Sequence, residues 1–143
     1  MGNRLMGEVS RILAELARNG EIISYYKFEE RMQALKVVGD HVIFKTDKTI
    51  ILEEKMTNNV NNKMGWQNIL NKPEQMHYNQ IFKNNPKHFY LFGFYPFRKQ
   101  QTFVAVEDIM KINPKHKSYI EPKDFDGISV LNNDLLTTVK SIL

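Results

Sequence analysis

The chain has 143 residues, of which 42% are hydrophobic and 25% are charged, as in a single globular domain. It contains no cysteine, which excludes disulfides, thiolate zinc sites, cysteine nucleophiles and cysteine-held iron–sulfur clusters. The formal net charge of +4 and the pI of about 9.2 favour binding to polyanions such as nucleic acid.

No apolar stretch approaches the roughly 20 residues that a membrane-spanning helix needs. The N-terminal stretch MGNRLMGEVSR is interrupted by Arg4 and Glu8, unlike the apolar part of a signal peptide. The sequence therefore predicts one domain over residues 1–143 in a soluble, cytoplasmic protein with no membrane partner. Its abundance of Asn, Lys and Ile agrees with a viral or phage origin.

The first predicted element is an amphipathic helix over residues 4–18. Its apolar positions recur at helical spacing and are Leu5, Val9, Ile12, Leu13 and Leu16. Three arginines seven residues apart line one flank: Arg4, Arg11 and Arg18. The pair Asn19-Gly20 is typical of a helix end. Glu8 lies between the apolar stripe and the arginine flank, where the residues alone also allow an ordinary surface glutamate.

The remaining elements follow in chain order. Residues 22–28 are predicted to form a strand, residues 29–35 a short helix or a loop, and residues 39–56 a hairpin. The later segments are an Asn-rich irregular stretch over 56–72, a helix over 71–83, strands over 88–95 and 102–106, a helical turn over 107–111 and a closing helix over 131–142. This alternation predicts an α/β fold with a central mixed β-sheet flanked by helices.

The hairpin GDHVIFKTDKTIILEEKM combines two apolar runs with charges at one end. A two- or four-residue turn centred on Thr46-Asp47 pairs residues whose numbers sum to 93. Asp40 then lies opposite Glu53, with Cβ atoms about 5 Å apart. Because side chains alternate along a strand, Lys55 shares the face of Glu53 and the side chain of Glu54 points to the other face.

Two carboxylates in direct opposition destabilise a strand pair unless a cation lies between them. Asp and Glu oxygens suit Mg²⁺, which keeps several waters and completes its ligand shell with substrate phosphate. A metal ion there activates water, and a neighbouring lysine stabilises charge on a phosphate. The pattern of Asp40, Glu53 and Lys55 therefore indicates metal-assisted phosphodiester hydrolysis.

A plainer interpretation of the same residues is a solvated strand end with a salt bridge. The four histidines have no metal-ligand spacing, and we interpret them as incidental: His41, His77, His88 and His116. Gly-rich phosphate loops and a Ser-His-Asp arrangement are not seen in the sequence.

The spacing of Asp40, Glu53 and Lys55 resembles the PD-(D/E)xK nuclease superfamily, and within it the archaeal and RecU-type Holliday junction resolvases. Their N-terminal helix has a metal-site glutamate, which Glu8 in GEVSRIL matches. A later helix starts near a Glu/His-Gln pair, like Glu74-Gln75 in NKPEQMHYNQIF. The segments HFYLFGFY and TFVAVEDIMKI match two further strands. The resemblance covers about residues 4–112 and leaves 113–143 as a C-terminal extension of unassigned role.

The resemblance implies a restriction-endonuclease-like fold and a homodimeric endonuclease, dependent on Mg²⁺ or Mn²⁺, that resolves four-way DNA junctions by paired nicking. Asp40, Glu53 and the carbonyl of Glu54 would bind the metal, with support from Glu8. Lys55 would act on the attacking water or the phosphate. The remaining implied contacts are Gln75 with water or backbone, and Arg4, Arg11, Arg18, Lys27, Lys36 and Lys63 with DNA phosphates.

Two alternatives remain open at the level of sequence. The chain is either another PD-(D/E)xK nuclease, of restriction-like, repair or RNA-directed type, or a non-catalytic DNA-binding module of the same fold. A pure binding module gains nothing from the pair Asp40 and Glu53, because carboxylates repel phosphate when no metal is bound.

Overall fold

The computed structural model describes residues 2–28, 40–69, 87–96 and 100–143. The predicted helix over 71–83, the ambiguous segment 29–35, Gln75 and Lys36 lie outside these residues. No helix in the described part of the chain is long and apolar enough to cross a membrane.

Within these ranges the molecule has two α-helices and seven strands. The helices are α1 (Gly2–Arg18) and α2 (Leu135–Ser141). The strands are β1 (Ser24–Lys27), β2 (His41–Phe44), β3 (Thr49–Thr57), β4 (Met64–Gly65), β5 (Lys87–Phe94), β6 (Thr102–Val106) and β7 (Tyr119–Ile120). Short 3-10 helices span Trp66–Asn68, Ile109–Lys111 and Pro122–Phe125.

Five strands form one mixed sheet in the order β1-β2-β3-β5-β6. The pair β3–β5 is parallel, and the other neighbours are antiparallel. The predicted mixed α/β architecture is therefore confirmed for the described residues. The strand predicted over 88–95 is central and largely buried, as expected for an almost continuous apolar run.

Helix α1 packs its apolar stripe on one face of this sheet. Leu5, Val9 and Leu13 are fully buried there with Ile50 and Leu52 of β3. The helix ends as predicted, because Gly20 adopts φ 77°. The Gly20 and Glu21 amides donate to the carbonyls of Ala17 and Leu16, which is a Schellman motif.

A second core covers the opposite face of the sheet. Phe92 and Phe94 of β5 pack there against Phe125, with ring centroids 5.4 and 6.0 Å apart. Trp66 and Ile69 are also buried in this core, so they anchor the Asn-rich stretch as predicted. The C-terminal segment after residue 112 thus supplies core residues.

Two predicted elements need correction. The Asn-rich stretch is not wholly irregular, because Met64–Gly65 pairs with Tyr119–Ile120 in a small second sheet. The closing helix is shorter than residues 131–142, because Asp134 accepts a hydrogen bond from the Leu136 amide and caps the helix there. Leu131 packs against the second core from outside the helix.

We expect Gly93→Ala to destabilise the protein by about 1–3 kcal/mol through overpacking. A Cβ at this position would lie 2.8 Å from Tyr95 Cε2 and 3.4 Å from Leu5 Cδ2. Gly7→Ala is the matched control: it meets no atom within 4 Å and should stabilise α1 by about 0.5–1 kcal/mol. Urea denaturation measures both, and equal effects of the two substitutions would contradict the expectation.

Candidate functional site

The strands β2 and β3 have the register that the hairpin pattern predicts. Their pairs run from His41↔Leu52 to Phe44↔Thr49, and each pair of residue numbers sums to 93. The pairs do not extend to the predicted pair Asp40 and Glu53. Asp40 lies just before β2, and its N–H donates to the carbonyl of Leu52, the residue before Glu53, at 3.0 Å. Its side chain is almost buried, with 6% of the residue exposed.

Glu53 and Lys55 share one face of β3. Lys55 Nζ lies 3.4 Å from Glu53 Oε1, and Glu53 is 9% exposed. The two residues pair with Tyr90 and Phe92 of β5, both of which belong to the second core. Glu53 and Lys55 therefore lie on the face of the sheet opposite α1.

Glu54 points to the α1 face, as alternation along the strand predicts. Its Oε1 is hydrogen-bonded to Nδ1 of the buried His41. Nε2 of His41 lies 2.7 Å from Ser10 Oγ on α1. The backbone N–H of Glu54 donates to Asp40 Oδ2 at 2.6 Å, so Asp40 is held from the β3 backbone.

Burial and neighbouring charges change the protonation of this cluster. Burial raises the pKa of Glu54 well above its ordinary value, and the nearby carboxylates of Asp40 and Glu53 raise it further. Burial, with Lys27 nearby, lowers the pKa of His41 to about 3. Both shifts favour the uncharged forms, a protonated carboxyl on Glu54 and a neutral imidazole on His41, because burial disfavours charge on either group.

These two pKa shifts predict a plateau in the pH dependence of stability. Below pH 4.5, and down to about 3, the unfolded chain carries one more proton on Glu54 and His41 than the folded pair, so stability falls as the pH drops. Between pH 4.5 and 6.5 both states carry one proton and the pair adds no slope. At a pH above 6.5 and below the raised pKa of Glu54, the folded pair keeps a proton that the unfolded chain has lost, and stability falls by about 1.4 kcal/mol per pH unit.

Urea denaturation with a chelator present, from pH 3 to 9, tests this plateau. The comparison is the doubly substituted variant His41→Leu/Glu54→Leu, in which the titrating pair is gone. The unfolding free energy of the wild-type protein minus that of the double variant should be constant between pH 4.5 and 6.5. It should decrease both below and above this range. A difference independent of pH would contradict the protonation states given above.

Glu8 has different neighbours from those that the resemblance implies. Its carboxylate lies 3.6 Å from Arg4 Nε and accepts a hydrogen bond from Tyr95 Oη at 3.3 Å. It also lines a cavity of about 420 Å³ between α1 and the start of α2. Successive helical residues are rotated by about 100°, so Ser10 rather than Glu8 reaches His41. The role of Glu8 at a metal site remains a prediction without support from these contacts.

The predicted basic residues are divided between different parts of the molecule. Arg4, Arg11 and Arg18 lie on α1 with exposed side chains, and α1 covers the face of the sheet opposite Glu53 and Lys55. Lys27 is exposed on β1, and Lys63 is exposed just before β4. The structure therefore does not bring the arginine flank to the face of the sheet that carries Glu53 and Lys55.

The donor atoms present fit a hard divalent cation. Asp40 and Glu53 are nearly buried carboxylates that both act on Glu54. Among the described residues, no group of three or more His, Asp or Glu side chains is arranged to hold a metal ion. The chain would thus supply two carboxylates, and water, a backbone carbonyl and substrate phosphate would complete the shell, as is usual for Mg²⁺.

Sequence reasoning missed two residues of this cluster. His41 was expected to be incidental, and that interpretation is wrong, because its ring joins Ser10 to Glu54 in the interior. The one available signal was a histidine placed among apolar strand residues, opposite a strand with a doubled glutamate. Nothing in the sequence indicates that Ser10 completes the group.

Comparisons with known proteins give a likeness in structure. No family model matches the chain, and no curated protein matches its sequence. The fold is similar to that of Archaeoglobus fulgidus Hjc, a Holliday junction resolvase from an archaeal hyperthermophile, with a TM-score of 0.54 and 10% sequence identity. The likeness covers 98% of this chain and 99% of that one, so it extends into residues 113–143. The two chains therefore share a fold over essentially their full length.

Proposed function

We propose that this protein is a metal-dependent DNA endonuclease that resolves four-way junctions by paired nicking. The observation that carries the proposal is the nearly buried Glu53 with Lys55 Nζ 3.4 Å from its Oε1, next to Glu54, whose N–H donates to the buried carboxylate of Asp40. The likeness in fold to a junction resolvase supports this choice over other phosphodiester hydrolyses. The proposal includes a restriction-endonuclease-like fold of the PD-(D/E)xK type, related to the archaeal and RecU-type resolvases.

Asp40 and Glu53 would hold Mg²⁺ or Mn²⁺, together with the carbonyl of Glu54. When bound, the ion supplies activation of a water molecule and stabilisation of charge on the phosphate. Lys55 directs its ammonium group to the same face and stabilises the negative charge that develops on the phosphate oxygens. The buried strands β2, β3 and β5 hold Asp40, Glu53 and Lys55 in fixed positions. These groups are therefore already oriented for the reaction when substrate binds.

A resolvase needs two such sites, because it cuts two strands of one junction. We therefore propose a homodimer in which each subunit nicks one strand. Basic side chains such as Lys27, Lys63 and the arginines of α1 would contact phosphates, which positions DNA without reading its sequence. A monomeric mass in solution, both free and with junction DNA, would contradict paired nicking.

The decisive experiment incubates the protein with a labelled four-way junction and Mg²⁺. The matched substrate is a linear duplex with the sequence of one arm, and the matched protein is Asp40→Asn. We expect symmetrical nicks in the junction, slow or no cleavage of the duplex, and no cleavage by the variant. An intact junction in both Mg²⁺ and Mn²⁺, or full activity of Asp40→Asn, would overturn the proposal.

The same assay separates the alternatives. Faster cleavage of linear duplex, flap, single-stranded DNA or RNA than of the junction would indicate another nuclease with this fold. Binding of DNA with no cleavage and no calorimetric signal for divalent metal would indicate a non-catalytic binding module.

A further inference from the structure

A continuous series of polar contacts runs through the interior from α1 to the candidate metal site. Ser10 Oγ lies 2.7 Å from His41 Nε2, and His41 Nδ1 is bonded to Glu54 Oε1. The Glu54 N–H in turn donates to Asp40 Oδ2 at 2.6 Å. We call Ser10, His41 and Glu54 the buried polar chain. It joins α1, β2 and β3 next to the proposed metal ligand Asp40.

Charged neighbours of this chain are Asp40, which is also hydrogen-bonded to the Glu54 side chain, Glu53 near Glu54, and Lys27 near His41; its other surroundings on the α1 face are apolar. His41 is 0% exposed, and the side chain of Glu54 is 1% exposed. The neighbouring strand positions on the same face are Ile43 and Leu52, both fully buried in the core with α1. Buried polar pairs are weak contributors to stability, and well-packed apolar residues of similar volume often replace them at no cost. A contribution to folding stability therefore does not by itself explain why His41 and Glu54 are buried here.

The geometry points to a positioning role. We propose that the buried polar chain fixes the β3 backbone at residue 54 relative to α1, so that the Glu54 N–H holds the Asp40 carboxylate in its metal-binding orientation. The side chains of Ser10, His41 and Glu54 are positioning groups that do not touch metal or substrate, whereas the backbone carbonyl of Glu54, which every substitution keeps, is the proposed ligand. The proposal rests on the proposed function for its effect on metal, but the backbone contact is independent of metal.

Outer partners of a metal ligand typically change metal affinity by 10-fold to 100-fold when they are removed. The backbone N–H of residue 54 exists with any side chain, so the prediction concerns its placement rather than its presence. If the buried polar chain sets the position of the residue-54 N–H, removing the polar side chains should loosen the contact between this N–H and Asp40. Both the metal affinity and the protection of this amide should then fall.

The test uses the doubly substituted variant His41→Leu/Glu54→Leu, which removes both polar groups together and leaves neither unpaired. Glu54→Gln is the conservative variant, because an amide keeps a donor and an acceptor for His41. Ser10→Ala removes only the first contact, and Ser129→Ala is its control, since Ser129 Oγ donates to the Ala105 carbonyl at 2.8 Å away from this chain. Calorimetry measures Mg²⁺ affinity, and NMR hydrogen exchange without metal measures protection of the amide at residue 54.

We expect the double variant to fold, to bind Mg²⁺ about 10-fold to 100-fold more weakly and to exchange the amide at residue 54 at least tenfold faster. Glu54→Gln should stay close to wild type in both measurements, and Ser10→Ala should show a smaller loss than the double variant. If the double variant does not fold, Ser10→Ala compared with Ser129→Ala decides by the same two measurements.

Wild-type affinity and wild-type amide protection in the double variant would overturn the positioning role. So would equal effects of Ser10→Ala and Ser129→Ala. If the wild-type protein binds no divalent metal, the proposed function fails, and amide exchange at residue 54 still decides whether the chain fixes the backbone.

Discussion

Glu53→Gln is expected to lower the rate of junction cleavage by on the order of 10³-fold. Removal of one group that stabilises charge in a transition state typically has an effect of this size. The substitution keeps the volume of the side chain and removes the charge that a divalent cation needs. It also removes one repulsion in the cluster of Asp40, Glu53 and Glu54, and one ion pair with Lys55. Because these two effects oppose each other, we expect the metal-free stability to change by less than about 1 kcal/mol.

Magnesium separates this expectation from a simple folding defect. A ligand at 100 times its Kd stabilises the folded state by about 2.7 kcal/mol, so excess Mg²⁺ should raise the Tm of the wild-type protein but not of Glu53→Gln. The control is Glu107→Gln, which also removes a Glu–Lys pair, with Lys87 Nζ 3.6 Å from Glu107 Oε1. Unchanged cleavage and an unchanged Mg²⁺ response in Glu53→Gln would exclude Glu53 as a ligand.

Phe125→Ala is expected to have the largest effect on stability, a loss of about 3–5 kcal/mol. Phe125 is 0% exposed and lies against Phe92 and Phe94 of the interior strand β5. Truncation would leave a cavity in the second core on the face of the sheet that carries Glu53. Residues 113–143 would then be part of the folding unit rather than an appended segment.

Equilibrium unfolding in urea measures this loss. Val130→Ala is the control, because Val130 lies in the same segment but is 72% exposed, and it should change stability by less than about 0.5 kcal/mol. A loss below 1 kcal/mol for Phe125→Ala would show that the C-terminal segment adds little to the core.

Local patterns predicted the parts of the fold that local forces determine. The apolar spacing of α1 and its end at Gly20 follow from helix geometry alone. The register of the hairpin follows from one turn, which places Lys45 and Lys48 together, with the Lys45 N–H donating to the Lys48 carbonyl at 2.9 Å. The same counting placed Glu53 and Lys55 on one face and Glu54 on the other.

The missed features depend on contacts between distant parts of the chain. Strands β4 and β7 have two residues each, too few for any periodicity, and they meet across a long segment. Ser10 meets His41 over a separation of 31 residues, and only the packing of α1 determines which helical position faces the hairpin. A helical stripe predicts the buried face of α1, but not whether Glu8 or Ser10 lies next to a given strand residue.

The parallel pairing of β3 with β5 has a consequence for the order in which the protein forms. The hairpin of β2 and β3 is local and can form within about 1–10 μs. The partner of β3 on its other side, β5, follows only after residues 58–86, and such distant pairing is slow. During synthesis, the ribosome therefore releases Asp40, Glu53 and Lys55 well before the strand that completes their sheet. We expect a nascent chain that ends before β5 to lack nuclease activity even though it contains these three residues.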